Sequence, residues 1–418
     1  MQKKSSTSEA KKNAKKNATA PSLIQPQQKK FQRFEGSTLF RHRLVLATLT
    51  HKSIEIDNIR LHGSADESGS DEKNEADKET RNKPGITDYE LNFLRLLDRI
   101  TNGSYIEINE TATNVKYIPG TLTGCTKHII HQCSLNRGVT YWLEPLLYLL
   151  PFSKEQTNVI TLQGTTYHEL DVSIDVIRGV LLPIIKRQFG MTDIRIQLTR
   201  RSLPPSGGGE VTITIPIVKQ LRTIDMLDVG MIKRIRGLCY TIAMAPTLAN
   251  RVRTECNNVL YNYISDVWIF NDSTKRHELQ KHVPKLYKDK ISAGYGLSLI
   301  AESTNGILLS VHAQHKTDAD MTAEEFGQYV SKLLLQEISY GGTVDTTLQS
   351  IILIFMTLCT EDVSRVRLGR MTKHTVHILR LLKDMLGVTF KLKEDSETGT
   401  IFASCMGIGF SNVWRQAS

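Results

Sequence analysis

Long apolar runs are missing from this chain. Nowhere in its 418 residues do eighteen apolar residues follow one another, so no membrane-spanning helix is expected. The N-terminus has no apolar core, and a secretory signal is not expected. Cysteine is sparse, with Cys125, Cys133, Cys239, Cys256, Cys359 and Cys405. None forms a C-x-x-C pair or zinc-ligand spacing, and most lie among apolar neighbours. They read as small core residues in a reducing compartment, with no structural metal expected. Aromatic residues are 7% and do not interleave with lysines, which argues against sequence-specific base reading. The remainder is that of a folded protein. Hydrophobic residues at 40% and charged residues at 23% exclude global disorder, and the length suggests about two to four domains.

The net charge of +10 is unevenly spread. Residues 1–33 hold nine basic side chains against the single acid Glu9, leaving +2 for residues 34–418. This low-complexity stretch, with Pro21 and Pro26, is expected to be a disordered basic tail. Such an arm attracts polyanions through counterion release, or serves as a nuclear address or a solubilising tail. A second polar stretch, about 64–84, carries seven acids over residues 64–80 against Lys73 and Lys78. It is expected to be a disordered surface loop, with Ser68 and Ser70 in acidic context.

Elsewhere helices and strands alternate. Apolar spacing predicts helices over 40–50 and 88–101, the second with Asp88 as N-cap, and strands over 54–59, 104–109 and 113–118. The order recurs as strand 127–133, helix 141–150, strand 157–163, helix 172–189 and strands 193–199 and 209–216. A third copy has helices 345–360 and 373–387 with strands 363–369, 388–394 and 400–407. The fold class read from this is α/β (α+β), three stacked ββαβα repeats. The domains are a core over 34–217, an inserted α+β domain over 218–340, and the third repeat over 341–418. Within the insertion the pattern predicts strands near 231–244, 266–271, 296–302 and 306–313, with helices 247–264 and 322–338.

The most distinctive local signal is Arg200-Arg201-Ser202-Leu203-Pro204-Pro205-Ser206-Gly207-Gly208-Gly209-Glu210. The glycines permit positive φ and close backbone approach, and the arginines suit phosphate. The loop lacks the Gly-Lys-Ser/Thr ending of a Walker loop. It reads either as a phosphate cradle or as a tight turn between strands.

This P-P-S-G-G-G-E-V segment resembles the signature of the RNA 3′-terminal phosphate cyclases. So do Gly341–Asp345, Ser364–Gly369 and the ending Gly407–Asn412. Phe40–Thr48, Asp88–Gly103 and Glu144–Lys154 are most similar to the eukaryotic cyclase-like branch. The resemblance implies three ββαβα repeats with an inserted domain. Cyclases adenylylate a histidine and pass AMP to an RNA 3′-phosphate, using a loop E-G-G-G-Q-x-x-R. Here that loop is contracted to Glu35–Arg41, and the cyclase Asp-Gln pair is Ser350-Ile351. Isoleucine offers no amide hydrogen bonds, so no nucleotide cofactor is expected. His374 stands where the cyclases have their nucleophile. Helical spacing puts it on the face of Ile378, Leu381 and Met385, which predicts a half-buried histidine rather than a catalytic one.

The resemblance also implies positions for RNA or phosphate contact, Arg41, Arg60 and Arg201, to which the loop reading adds Arg200, Gly207, Gly208 and Gly209. Arg380 and Lys383 match a pair of the cyclase-like branch and are expected on an exposed face, as partner or RNA contacts. No carboxylate cluster for a two-metal nuclease and no placed histidine pair are visible. The function implied is that of a non-cyclase ribosome biogenesis factor. It would act in early 18S pre-rRNA processing on the small-subunit pre-ribosomal particle, in the nucleolus of the nucleus. Its partners would be pre-rRNA and a ribosome-assembly GTPase, with no membrane. The rival readings are an active ATP-dependent RNA 3′-phosphate cyclase and a pure protein scaffold.

Overall fold

The computed structural model describes residues 31–61, 83–283, 291–315 and 321–415. Residues 1–30 of the basic tail and 64–82 of the acidic stretch lie outside the described residues. The first unit contains β1 (Gln32–Glu35), α1 (Phe40–Thr50), β2 (Ile54–Asp57) and α2 (Asp88–Ile100). After a two-residue strand β3 (Thr101–Asn102) come β4 (Tyr105–Ile108) and β5 (Val115–Ile118), then β6 (Thr121–Leu122), which pairs with β3.

The second unit has β7 (Ile129–Gln132), α3 (Thr140–Leu149), β8 (Thr157–Gly164), α4, β9 (Arg195–Arg200) and β10 (Gly209–Pro216). Helix α4 joins an α-turn, Ile174–Val176, to a π-turn, Ile177–Leu181, and an α-segment, Leu182–Arg187. Pro183 explains the wide turn, because it has no N–H for the carbonyl four residues back. The third unit opens with β11 (Asp225–Met226) and is then interrupted. The interruption holds β12 (Ile232–Ile242), α5 (Pro246–Leu260), β13 (Val267–Thr274), α6 (Arg276–Gln280), β14 (Gly294–Ser303), β15 (Leu308–Gln314) and α7 (Ala323–Ser339). The unit resumes with α8 (Gln349–Leu358), β16 (Val363–Leu368), α9 (Lys373–Leu386), β17 (Lys391–Asp395) and β18 (Thr400–Met406).

The three units share one topology. Their sheets run β1-β2-β5-β4, β7-β8-β10-β9 and β11-β16-β18-β17. In each the leading strand is parallel to its neighbour and the other pairings are antiparallel. The repeat is therefore αβαββ preceded by a short strand. That strand is what periodicity misses, because β1 and β11 are too brief to carry any. β1 also begins at Gln32, two residues inside the stretch read as tail.

The first helix of each unit is buried almost all round: α1, α3 and α8. α8 is apolar on nearly every face, as a central helix requires, whereas α1 and α3 also bury His42, Arg43 and Glu144, each held by a hydrogen bond. Tyr148 of α3 meets Phe355 of α8 at 5.0 Å between ring centres. One hydrophobic cluster runs through all three units. The inserted sheet, β13-β12-β14-β15, packs one face on α5 and α7 around a second cluster. At α2, the structure starts the cap one residue before Asp88: the Thr87 N–H donates to Glu90 at 2.9 Å.

Candidate functional site

Side chains from all three units meet where α1, α3 and α9 converge. The geometry begins with a proline. Pro145 lies inside α3 and has no N–H for the carbonyl of Tyr141. Arg41 of α1 supplies the missing donor, Nη1 to Tyr141 O at 3.0 Å. Its Nη2 binds Glu144 Oε2 at 2.5 Å, and its guanidinium sits 4.7 Å from the Tyr141 ring centre. Arg137 sits at 4.7 Å from the same ring and pairs with Asp171 at 2.7 Å.

The other Glu144 oxygen takes His42 Nε2 at 3.0 Å and the Tyr148 hydroxyl at 3.2 Å. An ionised carboxylate only accepts, so the His42 proton is on Nε2. His42 Nδ1 is then a buried lone pair without a hydrogen-bond partner among the described residues. Burial alone would raise the Glu144 pKa. The Arg41 charge and the His42 hydrogen bond outweigh it and hold the group at about 2. Burial lowers the His42 pKa, with the Glu144 hydrogen bond opposing.

His374 completes the group. Its ring is 5.7 Å from that of His42, tilted by 59°. The expectation of a half-buried histidine on the Ile378 face is corrected: His374 is exposed, while Ile378, Leu381 and Met385 are buried. It sits in the first turn of α9, turned toward α1. Desolvation on its protein side lowers its pKa, followed by the neighbouring His42. Its open solvent side limits that lowering. The pairing of His42 with His374 was not legible beforehand, because the two come from different units.

The contracted loop is also tied down. Arg43, buried on α1, donates to Gly36 O at 2.7 Å and Glu35 O at 3.1 Å. Its guanidinium lies 5.0 Å from the Phe34 ring centre. Ser350 and Ile351 are buried inside α8.

The other anticipated contacts lie apart from this junction. Arg60 is buried and grips Glu90 with two bonds of 2.8 Å. Arg201 is buried, bidentate to Asp175 at 2.6 and 2.7 Å and bound to Asp272 of β13 at 2.8 Å. It pins the second unit to the inserted sheet. Arg200 is half-exposed and pairs with Glu210 at 2.7 Å. The space in front of the glycines is filled by protein. A Cβ at Gly207 would meet Leu135 at 2.5 Å, and one at Gly208 would meet Val283 at 2.8 Å. At Gly209 it would meet Ser202 Oγ at 2.5 Å. The loop is latched to the insertion by Ser206 and Ser292, each N–H donating to the other's hydroxyl at 3.2 and 3.1 Å. Arg380 and Lys383 are exposed on α9.

Among the described residues no group of three or more His, Cys, Asp or Glu side chains is arranged to hold a metal. No helix among them is long and apolar enough to cross a membrane.

Comparison with known proteins bears on this arrangement. The model of the RNA 3′-terminal phosphate cyclase family matches residues 32–392. The chain belongs to that family. It is 41% identical over 397 residues to a probable RNA 3′-terminal phosphate cyclase-like protein of Dictyostelium discoideum, covering 92% of this chain and 99% of that one. The human RNA 3′-terminal phosphate cyclase-like protein is 38% identical over 391 residues, 91% of this chain and 96% of its own. The rRNA processing protein rcl1 of Schizosaccharomyces pombe is 35% identical over 389 residues, 92% of this chain and 98% of its own. The α/β architecture expected from the sequence is the one observed.

Proposed function

We propose that this protein is a non-cyclase rRNA processing factor. It acts in early 18S pre-rRNA maturation on the small-subunit pre-ribosomal particle, in the nucleolus, beside a ribosome-assembly GTPase. The observation that carries this reading is the near full-length match to a relative named as an rRNA processing protein. The geometry agrees with a lost nucleotide site. Arg41 is committed to Glu144 and Tyr141, and Arg43 holds the shortened loop. Ile351 has no group to orient a phosphate.

The contacts available to RNA or to the GTPase are then the exposed ones, Arg380, Lys383 and the half-exposed Arg200. Arg41, Arg60 and Arg201 would reach phosphate only by leaving Glu144, Glu90 and Asp175. Charge reversal at both Arg380 and Lys383 tests this in cells depleted of the native protein. The expected result is accumulation of unprocessed 18S precursor and loss of GTPase co-purification, with an unchanged melting temperature. Normal processing would overturn the assignment of these contacts.

The rival cyclase reading draws on one feature, the exposure of His374 at the first turn of α9. Incubation with labelled ATP decides it. We expect no AMP on the protein, and His374→Ala should leave rRNA processing intact. An AMP adduct lost on that substitution would promote the cyclase reading over ours.

A further inference from the structure

The inserted sheet leaves aromatic side chains bare at its β13 edge, although the same face is covered over β12 and β14, where Tyr240, Ile242 and Ser298 are buried. Val267 and Ile269 of β13 point into the cluster under α5 and α7. Trp268 and Phe270 alternate with them and point the other way, 59% and 55% exposed. Strand β13 is also an edge, paired to β12 alone. Tyr261 and Tyr263, which precede it, are exposed as well. Exposed aromatics gathered in ten residues of chain call for an occupant.

Two observations indicate its chemistry. The Trp268 and Phe270 rings are 5.9 Å apart and tilted by 60°. They do not stack on each other, so each keeps a face free. A cation stands beside them. Arg236 is the register partner of Trp268 across the β12–β13 ladder. Its bonds to Asp266, 2.7 and 3.0 Å, are exposed, and an exposed ion pair is readily exchanged for a phosphate. At the far end of the same strand face, Asp272 and Thr274 border a cleft of about 210 Å³ that also takes in Arg178, Arg200, Arg201 and Glu278. Arg178 is exposed and holds no ion pair among the described residues.

We propose that this face of β13 is an RNA-contacting surface. Successive unpaired bases of a single-stranded RNA stack on Trp268 and Phe270, and the backbone passes Arg236 and enters the Arg178–Arg200 cleft. Stacking tolerates any base, and guanidinium groups suit the phosphates. An apolar protein partner would leave Arg178 without a counterpart. The surface lies outside the α1–α3–α9 junction. Only the choice of RNA as the polymer rests on the rRNA reading.

The test uses the full chain, a labelled 12-nucleotide oligouridine and 300 mM salt, which suppresses binding by the basic tail. Trp268→Ala with Phe270→Ala should weaken binding roughly 5-fold or more for each ring removed. A circular-dichroism melt should not change, since neither ring packs in a core. In a Trp414→Phe background, where Trp142 is buried, RNA should quench the Trp268 fluorescence. Trp268→Phe should abolish the quench and keep the affinity. Arg178→Ala should weaken binding and reduce its salt dependence by about one phosphate contact. Equal affinity in the double alanine variant, or no quench, would overturn the proposal. So would a double variant that binds RNA normally but fails to join the pre-ribosome, which would make this a protein-docking face. A chain that passes this test but is dispensable for 18S processing would fail the functional reading alone.

Discussion

Glu144 joins two units through one carboxylate. It receives Arg41 and His42 from α1 while standing on α3 beside the proline that frees Tyr141 O. Breaking a buried ion pair by removing one partner leaves the other charge unsolvated, which costs about 3–5 kcal/mol. Glu144→Gln should therefore destabilise the protein by about that amount in urea unfolding. Replacing Arg41 by Met and Glu144 by Leu together should recover much of the loss, since no charge is then stranded. The pH dependence has a definite sign. The Glu144 pKa is about 2 in the folded chain against an ordinary 4.5. Its stabilisation is present above 4.5 and lost as pH falls toward 2. Glu144→Gln should flatten that part of the stability profile, and an unaltered acid limb would contradict the pairing.

The Gly207–Gly209 loop is an element whose role depends on what faces it. A phosphate cradle would leave space in front of the glycines, whereas here Leu135, Val283 and Ser202 occupy it. Gly208 has φ of +90°, so Gly208→Ala meets both strain and the Val283 contact at 2.8 Å. It should cost roughly 1–3 kcal/mol of stability. A cradle would predict the opposite, a stable variant with weakened RNA binding, so paired melting and binding measurements separate the two. That a loop joins two strands here was legible, since three glycines follow Pro-Pro, but whether it cradles phosphate was not. Its packing partner was not, because Val283 comes from the insertion. The same limit governs other elements. Helices α2 and α9 were legible from amphipathic spacing, and α3 and α8 from their largely apolar runs, α3 despite Glu144 and Pro145. Strand β13 was legible as apolar, yet Val267, Trp268, Ile269 and Phe270 in a row look buried on both faces. Nothing in that run tells that only Val267 and Ile269 find a core.

Across the whole molecule a strongly basic stretch, residues 1–30, precedes a nearly neutral remainder, and β1 begins at that boundary. Gln32 and Arg33 pair with Ile54 and Glu55 of β2, and Arg33 Nε reaches the Glu55 carboxylate at 3.1 Å. Residues 1–30 contain eight lysines and one acid, so the charge ends where the strand begins. Two truncations distinguish these roles. Removing residues 1–30 takes away eight lysines and leaves β1 whole. The melting temperature should hold, while RNA affinity at low salt falls and the plot of log affinity against log salt becomes shallower. For single strands that slope is about −0.7 for each phosphate neutralised, so a loss of four to seven contacts would be readily measured. Removing residues 1–33 also takes half of β1 and the Arg33–Glu55 pair. The exposed pair itself contributes little; the lost β1–β2 pairing of Gln32 and Arg33 contributes more. The longer truncation should therefore melt lower than the shorter one, with a similar salt slope. Equal salt slopes for the full chain and the 1–30 truncation would show that the arm does not bind RNA. Equal melting of the two truncations would show that β1 is dispensable to the first sheet.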